Sequence, residues 1–421
     1  MQYILISYGT AGDIFPYLAL AQALRQAGHE VQCIATPNMA PHAAQLGVPF
    51  HALMPDADYQ AALDAPQVWD VHEGFYCLWR YSWPWMQRLP ALLQQLAANR
   101  DTLLVCHPFL VPAMNLWRER QTGVRAAALF LAPSNLRTLH DPLLLGEHRV
   151  PAWFPFWLRR MLWRAGERKV HFPQMLADLN QARAALGLPL LSDLIGHFAD
   201  GVELALGMFP DWFGPAKPDW PAHFMHAGFP LHNPDAQAAL PPALQAFLQQ
   251  GAAPLLFTPG SAYRHGRRYF DIALEVLRRN QQRAIFLTAS QAHLPPLPPS
   301  VFWQDFVPLS QLLPHVSWLL HHGGIGTCAE GMAAGVPQIA IPCAYDQFDN
   351  GARLQALGVG WSLPMRRLSA KRLLALLAQP PAHCRQIAAR MASAPSSMQN
   401  CLGALAQLAA RSTSGMQSHG Q

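Results

Sequence analysis

Charge is what this 421-residue chain has least of. Only 13% of its residues are charged, about half the usual share of about 25%. Hydrophobic residues make up 51%, so soluble and membrane readings both have to be weighed. A spanning helix needs about 20 nearly uncharged residues, and no such run is present. The most apolar stretch, Pro151 to Trp163, is broken by Arg159 and Arg160. No secretory leader is expected: the opening MQYILISYGTAGD has no basic start and runs straight into a glycine turn, so it reads as a first strand. The 7 cysteines are odd in number, scattered and without a CxxC pair. A disulfide framework and a zinc site are therefore not expected, and a reducing cytoplasm suits the chain. The net charge of +5 is spread rather than clustered. That argues against nucleic acid and leaves room for an acidic substrate or an anionic membrane surface. GxGxxG is missing between Gly9 and Gly12, which argues against NAD. Asp56-Ala57-Asp58 spells a metal-binding DxD, but no nucleotide motif lies beside it, so no metal or other cofactor is expected.

What is present fits two α/β domains. The length suits two units of about 200 residues. Residues 3–7, a turn at Gly9–Asp13, a helix over Ile14–Gln26 and a strand over Glu30–Ala35 predict a βαβ unit. Apolar runs at Leu103–Cys106 and Ala126–Leu131 continue the parallel pattern. A second βαβ unit follows, with strands at Leu255–Thr258 and Ala284–Thr288 around a helix at Tyr269–Arg279. The expected division is an acceptor-binding domain over 1–215 and a proline-rich linker over 216–242. A nucleotide-sugar domain over 243–398 and a last helix with a disordered tail over 399–421 complete it. The two doubly wound halves are expected to face each other across a cleft.

The richest stretch is HHGGIGTCAEGMAAGVPQIAIPCAYDQFDN, His321 to Asn350. A short apolar strand, a glycine turn and a helix start follow one another there. A helix N-terminus offers free N–H groups and a positive dipole end, which together make an anion site. Gly323, Gly324 and Gly326 let the backbone approach a diphosphate, and Thr327 adds a hydroxyl. His321 or His322 can donate to a phosphate oxygen. Glu330, farther along the helix, suits ribose hydroxyls, or is simply a solvated glutamate. Asp346 and Gln347 suit sugar hydroxyls, or Asp346 is the N-cap of the next helix. Ser261, after Gly260, places a second hydroxyl near the phosphates. Phe306 can stack on a base that pairs with the Val307 backbone, or both are core.

Asp13 closes the first glycine turn. It reads as a general base for an acceptor hydroxyl, or as a helix cap. As part of a helix start it should be held in its charged form and be a weak base. Thr10, Phe15 and the aromatic stretches carrying Trp79, Trp83 and Trp157 could line an apolar acceptor pocket, rest on a bilayer, or be core.

These residues resemble the GT-B glycosyltransferases, specifically the large family one of inverting enzymes. The family's HxGxxS/T motif, then Glu, then D/E-Q, matches His322, Gly324, Thr327, Glu330, Asp346 and Gln347. The bacterial GTxGDxxPxxALA turn matches Gly9 to Ala21, which implies that Asp13 is the base. GTAGDIFP, HGGIG and PCAYDQFDN look like the rhamnosyltransferases of rhamnolipid biosynthesis. That resemblance implies transfer of L-rhamnose from dTDP-L-rhamnose to a 3-(3-hydroxyalkanoyloxy)alkanoate, giving a mono-rhamnolipid surfactant. It also implies association with the acyltransferase that makes this acceptor and contact with the inner membrane surface. The rival expectations are a glucosyltransferase acting on a lipid, sterol or polyketide, and a non-catalytic activator of another transferase.

Overall fold

The structure, a computed structural model, describes residues 1–97, 101–140, 143–145, 148–231, 239–260, 266–289, 291 and 294–416. The chain divides into two compact units: Met1–Val68, His72–Pro230 and Pro395–Gln421 in the first, Trp69–Val71 and Leu231–Ala394 in the second.

The first unit is built on strands β1 (Gln2–Ile6), β2 (Glu30–Ala35), β3 (Phe50–Ala52), β4 (Thr102–Cys106) and β5 (Arg125–Phe130), with β6 (Leu143–Leu145) and β7 (His148–Val150) as a separate antiparallel hairpin. β8 (Leu204–Gly207) and β9 (Phe224–His226) complete a seven-stranded parallel sheet, ordered β3-β2-β1-β4-β5-β8-β9. β1 and β4 are buried at every residue. This is what a parallel strand covered on both faces requires, and why it reads as an unbroken apolar run.

The second unit repeats the plan with β10 (Leu255–Thr258), β11 (Ala284–Leu287), β12 (Val301–Gln304), β13 (Trp318–His321), β14 (Gln338–Ala340) and β15 (Gly360–Ser362). Its order is β12-β11-β10-β13-β14-β15, all parallel. Alternate residues of one strand serve opposite faces. Leu255, Phe257 and Leu320 join one core cluster, Leu256 and Leu319 the other. In both units the direction of the winding reverses beside the first strand, between β1 and β4 and between β10 and β13. Ligands of such sheets lie beyond the carboxyl ends of the strands at that switch point.

Two boundaries differ from the sequence-based expectation. Residues 216–242 are not one linker, because β9 lies inside them and pairs with β8. β9 is the edge of its sheet, where the prolines around it remove no ladder hydrogen bond. At the other end, helix Ser397–Met416 continues through residues expected to be a loose tail. It belongs to the first unit: Ser397 Oγ donates to the Gly228 carbonyl (2.9 Å) and Asn400 Nδ2 to that of Ala227 (3.0 Å).

Candidate functional site

Two switch-point loops carry the predicted residues, one in each unit. In the first, helix Ala11–Gln26 starts earlier than the sequence suggested, so Asp13 sits in its first turn. The Thr10 N–H donates to Asp13 Oδ2 (2.8 Å), and the Thr10 hydroxyl donates to the same oxygen (3.2 Å). Gly9 holds φ at +126°, and a Cβ there would fall 2.3 Å from Asp13 Oδ2, so only glycine fits. Its carbonyl accepts from Thr36 Oγ1 (3.0 Å), Asn38 Nδ2 (3.3 Å) and Tyr59 OH (3.1 Å). These three anchors come from distant parts of the chain, and no local pattern announced them.

Asp13 does not behave as expected. Burial pushes its carboxyl up to about 6, against the two Thr10 hydrogen bonds that lower it. A helix N-terminus is worth about 0.3–1 kcal/mol, whereas a rise of about two units corresponds to roughly 3 kcal/mol. Desolvation wins, and Asp13 becomes a base matched to near-neutral pH. His107 follows β4, the strand beside β1, and its backbone N–H donates to the Ile6 carbonyl (2.7 Å). Burial lowers its imidazole to about 4.

The aromatic residues expected at an acceptor site part company. Trp79 is 0% exposed. It stacks on Trp83 (centroids 4.7 Å apart) and donates Nε1–H to Asp178 Oδ2 (3.0 Å). Trp79 is therefore core, its size being better used in packing than in contact with a ligand. Trp83 and Phe15 are half-buried, and Phe15 meets the His42 ring edge-on (5.2 Å). Trp157 lies on the surface of the unit.

In the second unit, β13 ends at His321 and helix Ile325–Ala333 starts at once, with Gly324 as its N-cap. The two histidines separate cleanly. His321 is 0% exposed, and its Nδ1 accepts the Gly323 N–H (3.2 Å). Burial first, then the neighbouring His322, lowers it to about 3. The expected ligand contact does not hold for His321, because the last residue of a buried strand points into the core. His322 is half-buried, with burial lowering it to about 4. Its ring lies between two glycines. A Cβ at Gly260 would meet the ring at 2.7 Å, and one at Gly324 would meet Nε2 at 2.4 Å. Both glycines are thus required by the ring as much as by any ligand. Nothing would obstruct a Cβ at Gly326, so the helix start is open there.

Thr327 and Glu330 lie half-buried on the same helix, and burial raises the Glu330 carboxyl. Asp346 occupies the N-cap position of helix Gln347–Ala356 without a side-chain cap. Its Oδ2 instead accepts from Asn350 Nδ2 (2.7 Å), which also donates to the Gly323 carbonyl (3.0 Å). Asn350 so ties the glycine turn to the Asp346 loop. Its only signal in the sequence is the four-residue helical spacing from Asp346. Gln347 is 6% exposed, and its Oε1 accepts from the N–H groups of Cys343 (2.9 Å) and Ala344 (3.2 Å). It is committed to shaping its own loop. Tyr345, beside them, is exposed and holds φ at +54°, a costly setting for a residue with a ring. Phe306 is exposed, as a base platform would be, and the Val307 side chain is core. Ser261 lies outside the described residues.

Two family models match the chain. "Glycosyltransferase family 28 N-terminal domain" covers residues 3–98, and "Erythromycin biosynthesis protein CIII-like, C-terminal domain" covers 282–405. Glycosyltransferase GtfE of Amycolatopsis orientalis is 28% identical over 86% of this chain and 85% of its own length. A 6-deoxyallosyltransferase of Streptomyces fradiae, named for its acceptor O-mycaminosyltylonolide, is 26% identical over 89% and 88%. Among solved structures, glycosyltransferase VinC in complex with dTDP superposes with a TM-score of 0.66 at 22% identity, over 98% of this chain and 100% of that one. At that identity the likeness is one of fold.

Proposed function

The chain is a glycosyltransferase with the GT-B fold, and from that premise we propose that it moves a 6-deoxyhexose from a thymidine diphosphate to the hydroxyl of an apolar acceptor, with inversion. One observation carries the reading most. A carboxyl raised to about 6 sits in the glycine turn of one unit, and a glycine-lined histidine beside an open helix start sits in the other. These are a base for an incoming hydroxyl and a seat for a departing diphosphate.

In this scheme Asp13 accepts the acceptor proton as the acceptor oxygen bonds the anomeric carbon, and the bond from that carbon to the diphosphate oxygen breaks. His322 is neutral near pH 7, so it donates one hydrogen bond and brings no charge of its own. The N–H groups of Gly326 and Thr327, at the positive end of the helix, take the rest of the developing charge. Glu330 receives deoxyribose hydroxyls, Phe306 stacks on the base, and Asp346 receives sugar hydroxyls. No metal is required by these steps. The residue motifs favour dTDP-L-rhamnose as donor and a 3-(3-hydroxyalkanoyloxy)alkanoate as acceptor. The 6-deoxy sugar named for one relative supports that class of donor.

Titration calorimetry with dTDP-L-rhamnose and UDP-glucose, followed by mass analysis of the product formed with a hydroxyalkanoyloxyalkanoate, tests this. The proposal expects tighter binding of dTDP-L-rhamnose and one deoxyhexose added per acceptor. Tighter binding of UDP-glucose, with glucose appearing in the product, overturns the rhamnosyl assignment.

A further inference from the structure

Helix Ala11–Gln26 carries one unbonded hydroxyl in its buried stripe. Tyr17 is 0% exposed, and Leu20 and Leu24 are buried with it. Apolar residues at that spacing are what a core-facing helix holds. Tyr17 departs from them by its phenol oxygen, which is buried and has no hydrogen-bond partner among the described residues. A buried polar group left unbonded costs folding free energy, and phenylalanine would fill the same space without that cost. Tyr8, Tyr59 and Tyr269 are buried too, yet each of their hydroxyls has a partner: Ser82 Oγ, the Gly9 carbonyl (3.1 Å) and the Leu320 carbonyl (2.7 Å).

Tyr17 stands four residues after Asp13 in this helix. Residues at that spacing share a face, and long helical side chains lean back toward the N-terminus, over the residue four before. The phenol therefore leans toward the turn that carries the base. Burial first, then the Cys106 thiol and the Asp13 carboxyl, hold it far above its ordinary pKa, so it keeps its proton and can only donate to a carboxylate. The other groups around it are engaged. Burial also holds Cys106, at the end of β4, well above the usual thiol range against the pull of Arg118, and Sγ donates to the His107 carbonyl (3.3 Å). Ser82 Oγ donates to the Leu78 carbonyl (2.6 Å), so the Tyr8 hydroxyl is the donor in its bond to Ser82. Ser7 Oγ donates to the backbone carbonyl of Asp13 (3.4 Å), and both Thr10 donors reach Asp13 Oδ2. Among the described residues no donor reaches Asp13 Oδ1. The Tyr17 O–H is left as a donor without an acceptor, on the same face as a carboxylate with room for one.

We infer that Tyr17 is a positioning residue for the base: its hydroxyl turns to donate to the Asp13 carboxylate when that group is charged, and lets go when Asp13 holds the acceptor's proton. The inference rests on the role proposed for Asp13. No bond to hydrogen breaks in this step; the phenol proton stays on its own oxygen. A hydrogen bond to the charged form favours that form. Tyr17 thus works against burial, and keeps the carboxyl from rising so far that it would no longer be ionised near neutrality. A hydroxyl with no bond in the resting fold is a cost to stability that serves the charged state of its neighbour, and such trade-offs gather at functional sites.

Tyr17→Phe in the full chain tests it through two titrations. In the first, kcat/KM for sugar transfer is followed against pH, which reports the base of the free enzyme. The rising limb should move about one unit higher than the parent's. In the second, carbon-13 NMR follows the carboxyls of aspartate-labelled protein, with Asp13→Asn identifying the Asp13 signal. That signal should titrate about one unit higher in Tyr17→Phe, with no turnover needed. The variant loses only an unbonded oxygen, so its thermal midpoint should equal or exceed the parent's, and its affinity for dTDP by calorimetry should be unchanged. A merely structural hydroxyl would move the midpoint and neither titration. The inference is overturned if the Asp13 signal titrates in Tyr17→Phe as it does in the parent, or at lower pH. Its failure is distinct from failure of the base assignment. Transfer by Asp13→Asn at the parent rate would remove Asp13 as the base, while the NMR titration would still decide whether Tyr17 sets its charge.

Discussion

Asp13 Oδ2 takes two hydrogen bonds from Thr10, one from its N–H at 2.8 Å and one from its hydroxyl at 3.2 Å, and burial still lifts the carboxyl to about 6. The pair fixes where the carboxylate points and leaves it basic enough to work near neutrality.

The raised carboxyl has a consequence for stability. Its folded value lies above the 3.8 of a free aspartate. The associated stability is fully present below about pH 4 and is lost as pH rises through about 6. Asp13→Asn keeps an acceptor for Thr10 and carries no charge. It should be more stable than the parent by about 1–2 kcal/mol above neutrality, after allowance for partial exposure. The gap should close near pH 4. Thermal unfolding across that range reads both.

His321 and His322 should fail differently. His321→Ala opens a cavity in a buried strand end and should lower the thermal midpoint by several degrees. His322→Ala should leave the midpoint nearly unchanged and cost about 10²–10³ in kcat, as loss of one donor to a developing oxyanion does. Melting curves and initial rates measured on both variants separate the roles.

The two glycines around His322 should be coupled to it. Gly324→Ala places a methyl 2.4 Å from the ring nitrogen, so alone it should weaken dTDP binding by at least about tenfold. Combined with His322→Ala, which removes the clash, the added loss should be small. A double-mutant cycle by calorimetry measures this.

Trp79→Ala should act on folding. A fully buried tryptophan with its Nε1–H bonded costs about 3–5 kcal/mol when truncated, and denaturant unfolding should show that loss. Trp157→Ala, on an exposed ring, should shift stability by less than about 0.5 kcal/mol.

Both βαβ units were legible because their strands are buried on both faces and read as apolar runs. β2 and β10 appear at the residues expected, Glu30–Ala35 and Leu255–Thr258. Short strands were less legible: β3 and β15 have three residues each, too few for any period, and the prolines that feed β9 hide it. Motif spacing singled out His322, Gly324, Thr327 and Asp346 as candidates, and the structure places the first three on the turn from β13 into helix Ile325–Ala333. Residue type alone could not tell His321 from His322: the first ends a buried strand and the second follows it. Nor could it show that burial would outweigh the helix dipole at Asp13. The Gly9 carbonyl anchors Thr36, Asn38 and Tyr59 were hidden for the same reason: they converge only in three dimensions.

The pH dependence of sugar transfer by the parent and by Asp13→Asn is the decisive measurement. The parent rate should climb with pH through about 6 and then level, because the base must be ionised. Asp13→Asn should be slower by about 10²–10⁴ and lose that limb. Transfer by Asp13→Asn at the parent rate, with the same rise through about pH 6, would contradict the assignment of Asp13 as the base.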